Sequence, residues 1–175
     1  SVREYMTHQD GTTDEHGNLV TTGIAPQLIG YLRQYSTAIN DIPYYRETDA
    51  DYLDTENVGF DGIELMYEEQ LRGIPGSKTY PVDALGQVIG DPIISPATKG
   101  NNLYLTIDAS IQEAVKKKIV EHLHTLKTDP EYIKVNPRGT QASSAYVAAI
   151  EIPSGRVVAM VSYPDYDPNI WRNGR

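Results

Sequence analysis

The chain has 175 residues, room for one ordinary core or two small ones, and carries 15 Lys and Arg against 24 Asp and Glu, a net charge of −9. That balance lacks the basic footprint a nucleic-acid partner needs, and the absence of cysteine excludes disulfides, thiolate catalysis and Cys-ligated zinc together. Cysteine avoidance suits work outside the reducing cytoplasm. No apolar run is long enough to cross a bilayer, and the N-terminal stretch lacks the charged-then-apolar order of a signal peptide. Thirteen tyrosines against one phenylalanine point to grooves, partner surfaces or half-exposed sheet, where a ring is buried while its hydroxyl stays wet.

Residues 1–23 are polar and rich in Gly, Thr and Asp. His8 to Asn18 fails calcium-loop spacing, and its histidines lack the one-turn separation of a helical zinc pair, so the stretch reads as a solvated loop or hairpin tip. From Ile24 to Ile42 apolar residues recur without a clean period, and Ile29-Gly30-Tyr31 either ends a strand or opens a turn. Asp41 to Glu56 is acidic and aromatic. Its carboxylates Asp49, Asp51, Asp54 and Glu56 have no apolar frame to raise a pKa, so the segment reads as a solvated loop or helix face.

Asp61 to Gly73 predicts a short amphipathic helix. Ile63, Met66, Tyr67 and Leu71 form its apolar face, Asp61 its N-cap, Arg72 its last turn, and Gly73 with Pro75 its stop. Glu64, near its start, reads as a local cap or ion pair. Short strands are expected at Lys78–Val82, Gln87–Ile89 and Leu103–Ile107, with a loop over Asp91–Asn102. Asp108 caps the longest helix, with Ser110 and Glu113 offering an alternative capping box; its stripe is Ile111, Ala114, Val115, Ile119, Leu123 and Leu126, with Lys116, Lys117 and Glu121 pointing away. The helix ends at Asp129-Pro130. His122 and His124, two apart, do not share a helical face and are rejected as a metal pair.

The clearest local prediction is a β-hairpin. Tyr146, Ala148 and Ile150 alternate with their neighbours, Ile152 to Arg156 has the proline and glycine of a type I turn closed by a bulge, and Val157–Val161 is apolar without interruption. The second strand should therefore be covered on both faces, and the chain as given has few residues left to cover it. The fold class expected is α+β.

Several separated motifs, in order, resemble the class B penicillin-binding proteins: Gly62-Ile63-Glu64, Leu71-Arg72-Gly73, Leu103 to Asp108 with Ile111-Gln112, Ile150 through Met160, and Tyr163 to Asn169. Asn169, Trp171 and Gly174 stand where that family has Asn-x-Phe-x-x-Gly. The resemblance implies membrane-anchored transpeptidases that cross-link peptidoglycan outside the cytoplasmic membrane. It divides the chain into a partial non-catalytic, dimerisation-type pedestal at 1–102 and, at 103–175, the opening helix and hairpin of a truncated transpeptidase sheet. It also implies partners: the remainder of the transpeptidase domain, wall-synthesis membrane proteins, and stem peptides only through the missing catalytic part. Glu64 stands where the family holds its pedestal through an arginine of an N-terminal motif, which is absent here.

Family chemistry needs a serine with a lysine three residues on, a Ser-x-Asn and a Lys-Thr/Ser-Gly. No serine here has lysine at the third position or asparagine at the second, and Lys78-Thr79 is followed by Tyr80. No catalytic residue, metal ligand or cofactor is therefore expected. The residues singled out, as structural motif positions, are Gly62, Glu64, Arg72, Gly73, Asp108, Gly155, Pro164, Asp167, Pro168 and Asn169. A free-standing extracellular binding or assembly module is the alternative reading, and the unfinished hairpin counts against it.

Overall fold

The computed structural model describes residues 7–13, 19–48 and 50–171, with side chains from residue 23 onward. The polar N-terminal stretch is a hairpin. Strand β1 (Thr7–Thr13) runs antiparallel to β2 (Leu19–Gly23), Thr7 facing Gly23, and the expected tip at 14–18 lies outside the described residues.

A one-turn helix α1 (Pro26–Ile29) follows, stopped where Gly30 takes a φ of 83°, so Ile29-Gly30 closes a helix and ends no strand. Strand β3 (Leu32–Gln34) then pairs with the distant β4 (Asn57–Gly59), Leu32 opposite Gly59 and Gln34 opposite Asn57. Helices α2 (Tyr35–Asp41) and α3 (Pro43–Glu47) fill the connection, and Pro43 sets the φ of the first turn of α3. Here the first core forms: Ala38, Tyr45 and Val58 are buried, with Tyr35, Ile39, Ile42, Tyr52, Phe60 and Leu65 packed around them. The expectation of a solvated loop or helix face for Asp41–Glu56 holds for Asp51 and Asp54, which are exposed, and is corrected for Tyr45 and Glu56; Asp49 lies outside the described residues. Tyr45 is 1% exposed, because tyrosines supply the apolar frame that a search for aliphatic periodicity does not see. Tyr35 stacks on Tyr52 at 4.8 Å between centroids, and Tyr45 meets both edge-on at 5.9 and 5.5 Å.

The helix expected over Asp61–Gly73 is two pieces, α4 (Gly62–Met66) and α5 (Glu68–Leu71), divided at Tyr67. Its buried face also differs from the expected one: Ile63 and Leu71 are half-buried as expected, but the other positions change places. Met66 is 74% exposed and Tyr67 lies at the surface, whereas Glu64 and Glu68 are buried. Carboxylates can take the inward face because hydrogen-bonding partners await them there.

Residues 74–98 form a two-stranded arm. Strand β5 (Ser77–Thr79) pairs with β6 (Ile93–Ser95), Ile74 bridges Thr98 at its base and Val82 bridges Val88 near its tip. At the tip the Asp83 carboxylate accepts from the amides of Leu85 and Gln87 at 2.8 and 2.9 Å, an Asx turn. The strand expected at Gln87–Ile89 is reduced to that bridge, and β6 lies inside the expected loop. Tyr80, Val82, Leu85, Val88, Ile89, Ile93 and Ile94 face solvent along the arm. Leu103–Ile107 joins no strand. Instead the Thr106 hydroxyl donates to the carbonyl of Val157 (2.6 Å) and the Asp108 amide to that of Val158 (2.9 Å).

The long helix α6 (Ala109–Thr128) begins as expected, the Asp108 carboxylate accepting from the Ile111 amide at 3.0 Å. Asp129-Pro130 ends it and opens α7 (Pro130–Val135), with Asp129 accepting from the Glu131 amide; a 3-10 turn over Pro137–Gln141 follows. The hairpin is β7 (Ala145–Ile150) against β8 (Val157–Tyr163), Ala145 opposite Tyr163, with a bulge beside Ile150. Helix α6 covers one face of β8, where Ile119, Leu123 and Val161 form the second core. Ala159 shares that burial, but Met160 on the other face is 41% exposed. Two-sided cover is therefore corrected to one-sided, since α6 reaches only one face of the strand.

Candidate functional site

Of the residues singled out in sequence, Arg72 forms an ion pair with Glu56. Arg72 Nε donates to Glu56 Oε1 at 2.9 Å and Nη2 to Oε2 at 3.1 Å, while Nη2 also donates to the Asp51 carbonyl. The guanidinium carbon sits 3.7 Å over the Tyr52 ring. A planar fork satisfies a carboxylate with two parallel bonds and a ring with its face at once, which an ammonium cannot do. Arg72 is thus a cross-link over sixteen residues of chain rather than a charge closing a helical turn. The Glu56 in its grip was expected to lie in solvent.

Behind this pair, Glu68 Oε2 accepts from the Gly59 amide at 2.8 Å and the Tyr45 hydroxyl donates to the Gly59 carbonyl. One end of β4 is thereby held through both its polar backbone groups. Burial, and then the nearby Glu68 carboxylate, push the Tyr52 hydroxyl well above its ordinary pKa. Glu64, 7% exposed, lines with Glu56, Asn57, Leu71 and the 97–104 segment a groove of about 1030 Å³. Gly62 holds a φ of 59°, and a Cβ there would lie 2.6 Å from the Leu28 carbonyl oxygen, so only glycine lets α4 start against α1. Gly73 lies against the backbone of residues 98–100, and Gly155 sits in the β7–β8 turn, donating to the Glu151 carbonyl at 2.8 Å.

The second group lies around β8. Gln112, only 5% exposed, holds the strand's edge with both ends of its amide: Nε2 donates to the Met160 carbonyl at 2.6 Å and Oε1 accepts from the Met160 amide at 2.8 Å. Sequence reasoning quoted Gln112 only as part of a motif. Its signal was a polar residue on the inward side of a helix, next to the stripe. Lys116, expected to point away, is instead drawn to Asp165 at 2.9 Å, both side chains being largely buried. The peptide before Pro164 is cis, and the Asp167 carboxylate accepts from the amide and the side-chain nitrogen of Asn169, each at 2.9 Å, with Pro168 buried between them. Tyr163–Asn169 is thus a fixed chain reversal. His122 stands edge-on to Tyr132, and no group of three His, Asp or Glu able to hold a metal occurs among the described residues.

Helices and two-stranded antiparallel pairs, tied by the Arg72–Glu56 fork and the Gln112 clamp, make up an α+β scaffold. A family model for the penicillin-binding protein dimerisation domain matches residues 3–105, and the chain belongs to this family, within the class B penicillin-binding proteins. It is 34% identical over 142 residues to penicillin-binding protein 3 of Bacillus subtilis, and 31% identical over 151 residues to the peptidoglycan D,D-transpeptidase MrdA of Escherichia coli. Those matches cover 81% and 84% of this chain but 17% and 20% of the relatives, so the chain spans about a fifth of their length. In fold it is similar to a chain of a peptidoglycan synthase complex solved to show how polymerization and crosslinking are coordinated. The TM-score is 0.60 at 28% identity, over 85% of this chain and 24% of that one. Penicillin-binding protein 2B of Streptococcus pneumoniae shares the fold with a TM-score of 0.57 at 21% identity, over 83% of this chain and 23% of its own.

Proposed function

We propose that this chain is the pedestal and the opening of the catalytic domain of a peptidoglycan D,D-transpeptidase, divided near residue 102. Its part is to hold the catalytic domain in place and to dock wall-synthesis proteins, while acyl transfer belongs to residues outside this chain. One observation carries the reading: the dimerisation-domain family matches residues 3–105, and a relative named as a peptidoglycan D,D-transpeptidase matches 84% of the chain, more than that domain alone. The absence of Ser-x-x-Lys from the sequence fits the non-catalytic role. The exposed apolar arm at 74–98 supports docking, because surface of this kind marks interaction sites. Peptidoglycan is the substrate class, met outside the cytoplasmic membrane; among the described residues no helix is long and apolar enough to cross a membrane.

Intact mass before and after incubation with a penicillin tests this. The 19.5 kDa chain should gain nothing, and a full-length protein carrying it should gain one acyl group. A covalent adduct on the isolated chain, or none on the full-length protein, overturns the reading.

A further inference from the structure

The segment after β8 turns back onto the N-terminal half. The Tyr166 hydroxyl donates to the Pro26 carbonyl at 3.0 Å, and the Gln27 amide nitrogen to the Pro164 carbonyl at 3.3 Å. Four rings close the contact. Tyr31 meets Trp171 at 4.2 Å, Phe60 at 5.4 Å and Tyr166 at 6.2 Å between centroids, and Tyr166 meets Trp171 edge-on at 5.3 Å. Gly23 completes the fit, since a Cβ on it would lie 2.7 Å from Cδ of Pro168. The other side of the same segment is tied to α6 by Lys116–Asp165.

Beside this contact the two halves stand apart. A crevice of about 560 Å³ separates residues 23–27 from the α6 face bearing Ala114, Lys117 and Val120. The exit segment is therefore the bridge between residues inside the dimerisation-domain match and the helix outside it. An aromatic cluster suits that task, because ring stacking is geometrically specific.

We propose that Tyr31, Tyr166 and Trp171 are positioning residues. Their closed joint holds residues 163–171 against residues 23–31, so that in a full-length protein the active-site serine is acylated quickly only while the joint is closed. This rests on the transpeptidase reading above. Displacements of about 1 Å remote from a reacting centre can cost on the order of 100-fold in rate, so a loosened joint should be visible in kinetics.

Two measurements test it. Trp171 is the sole tryptophan of the chain, so its emission and its quenching by acrylamide report the joint directly. In a full-length protein, the rate of labelling by a fluorescent penicillin reports the serine. Tyr31→Ala and Gly23→Ala should expose Trp171 and slow labelling by about 10-fold or more, while Tyr31→Phe, which keeps the ring, should restore both. Ile39→Ala, in the first core away from the joint, should lower the melting temperature and leave the labelling rate unchanged.

The inference is overturned if Trp171 becomes exposed and labelling does not slow. It is equally overturned if Tyr31→Ala and Gly23→Ala leave Trp171 emission unmoved, or if Ile39→Ala slows labelling as much as Tyr31→Ala. Failure of the unmodified full-length protein to label at all would instead sink the transpeptidase reading, and this inference with it. The Trp171 quenching would then still say whether the rings meet.

Discussion

The two halves of this molecule solve the same problem by opposite means. Around β8, a long helix lays Ile119 and Leu123 on Val161, and one amide, Gln112, closes the strand's edge. Around β4 the aliphatic residues come from separate short segments, and those helices and loops are fixed by Tyr45, Tyr52, Glu68 and the Arg72–Glu56 fork. An element long enough to carry a periodic stripe can be held by burial alone. Segments of three to seven residues cannot, and need directional bonds to specify their courses.

The sharpest way to break that contrast is Tyr45→Ala. It removes a buried ring between Tyr35 and Tyr52 and strands the Gly59 carbonyl, and large-to-small changes of this kind cost about 3–5 kcal/mol. Urea unfolding should show the first core lost while the helical signal of α6 survives. Loss of both in one step would show that the halves are a single cooperative unit. Alkali should probe the same division. Burial raises the hydroxyl pKa of Tyr52, Tyr31 and Tyr166 above the ordinary value. Unfolded tyrosine releases its proton near pH 10, so above about that pH the unfolded chain holds fewer protons than the folded one. The contribution of these groups is thus complete below pH 10 and declines as pH rises toward their folded values. The urea midpoint should be flat with respect to these groups from pH 7 to 9 and fall beyond 10, and should lose part of that fall in Tyr52→Phe.

Next in size is Arg72→Gln. The Glu56 carboxylate, its side chain 14% exposed, would be left without its cation, a loss of about 2–4 kcal/mol for a pair this sheltered. Arg72→Lys should recover only part of it, because an ammonium gives up the second parallel bond and the flat contact with Tyr52. Equal stability of the Lys variant and the original would show that charge alone, and not the fork, holds residues 51–56.

The same contrast explains what could be read in advance. The Asp108 cap, the course of α6 and the β7–β8 pairing were legible, because each rests on local chemistry repeated over many residues: a capping carboxylate, a helical stripe, alternation across a glycine turn. The buried face of Gly62–Leu71 was misread, since Met66 and Tyr67 satisfied the helical period while Glu64 and Glu68 met partners that are distant in sequence. Asp41–Glu56 looked solvated for the same reason. Its Glu56 found Arg72 and its tyrosines found one another, and neither event leaves a periodic trace. Among the motif residues, Asp108 acts through a neighbour three residues on and could be given a role from sequence, whereas Gly62 acts against the distant Leu28 carbonyl. Arg72 and Gln112 act across 16 and 48 residues and could not.

Gln112→Leu gives the finer test within the well-ordered half. Leucine roughly conserves volume but leaves the Met160 amide and carbonyl without their partners on a half-buried edge, at about 1–3 kcal/mol. It also opens the β8 edge. If the clamp were only packing, Gln112→Leu would be neutral or stabilising and association would be unchanged. If it guards the edge, the variant should lose stability and, at high concentration, self-associate through β8, because an unpaired strand edge offers a ready template to another copy. Asp108→Ala, which removes a single capping bond at the start of the same helix, should cost only about 1 kcal/mol and leave association unchanged. Sedimentation of the two variants at matched concentration separates the loss of an edge from the loss of a bond.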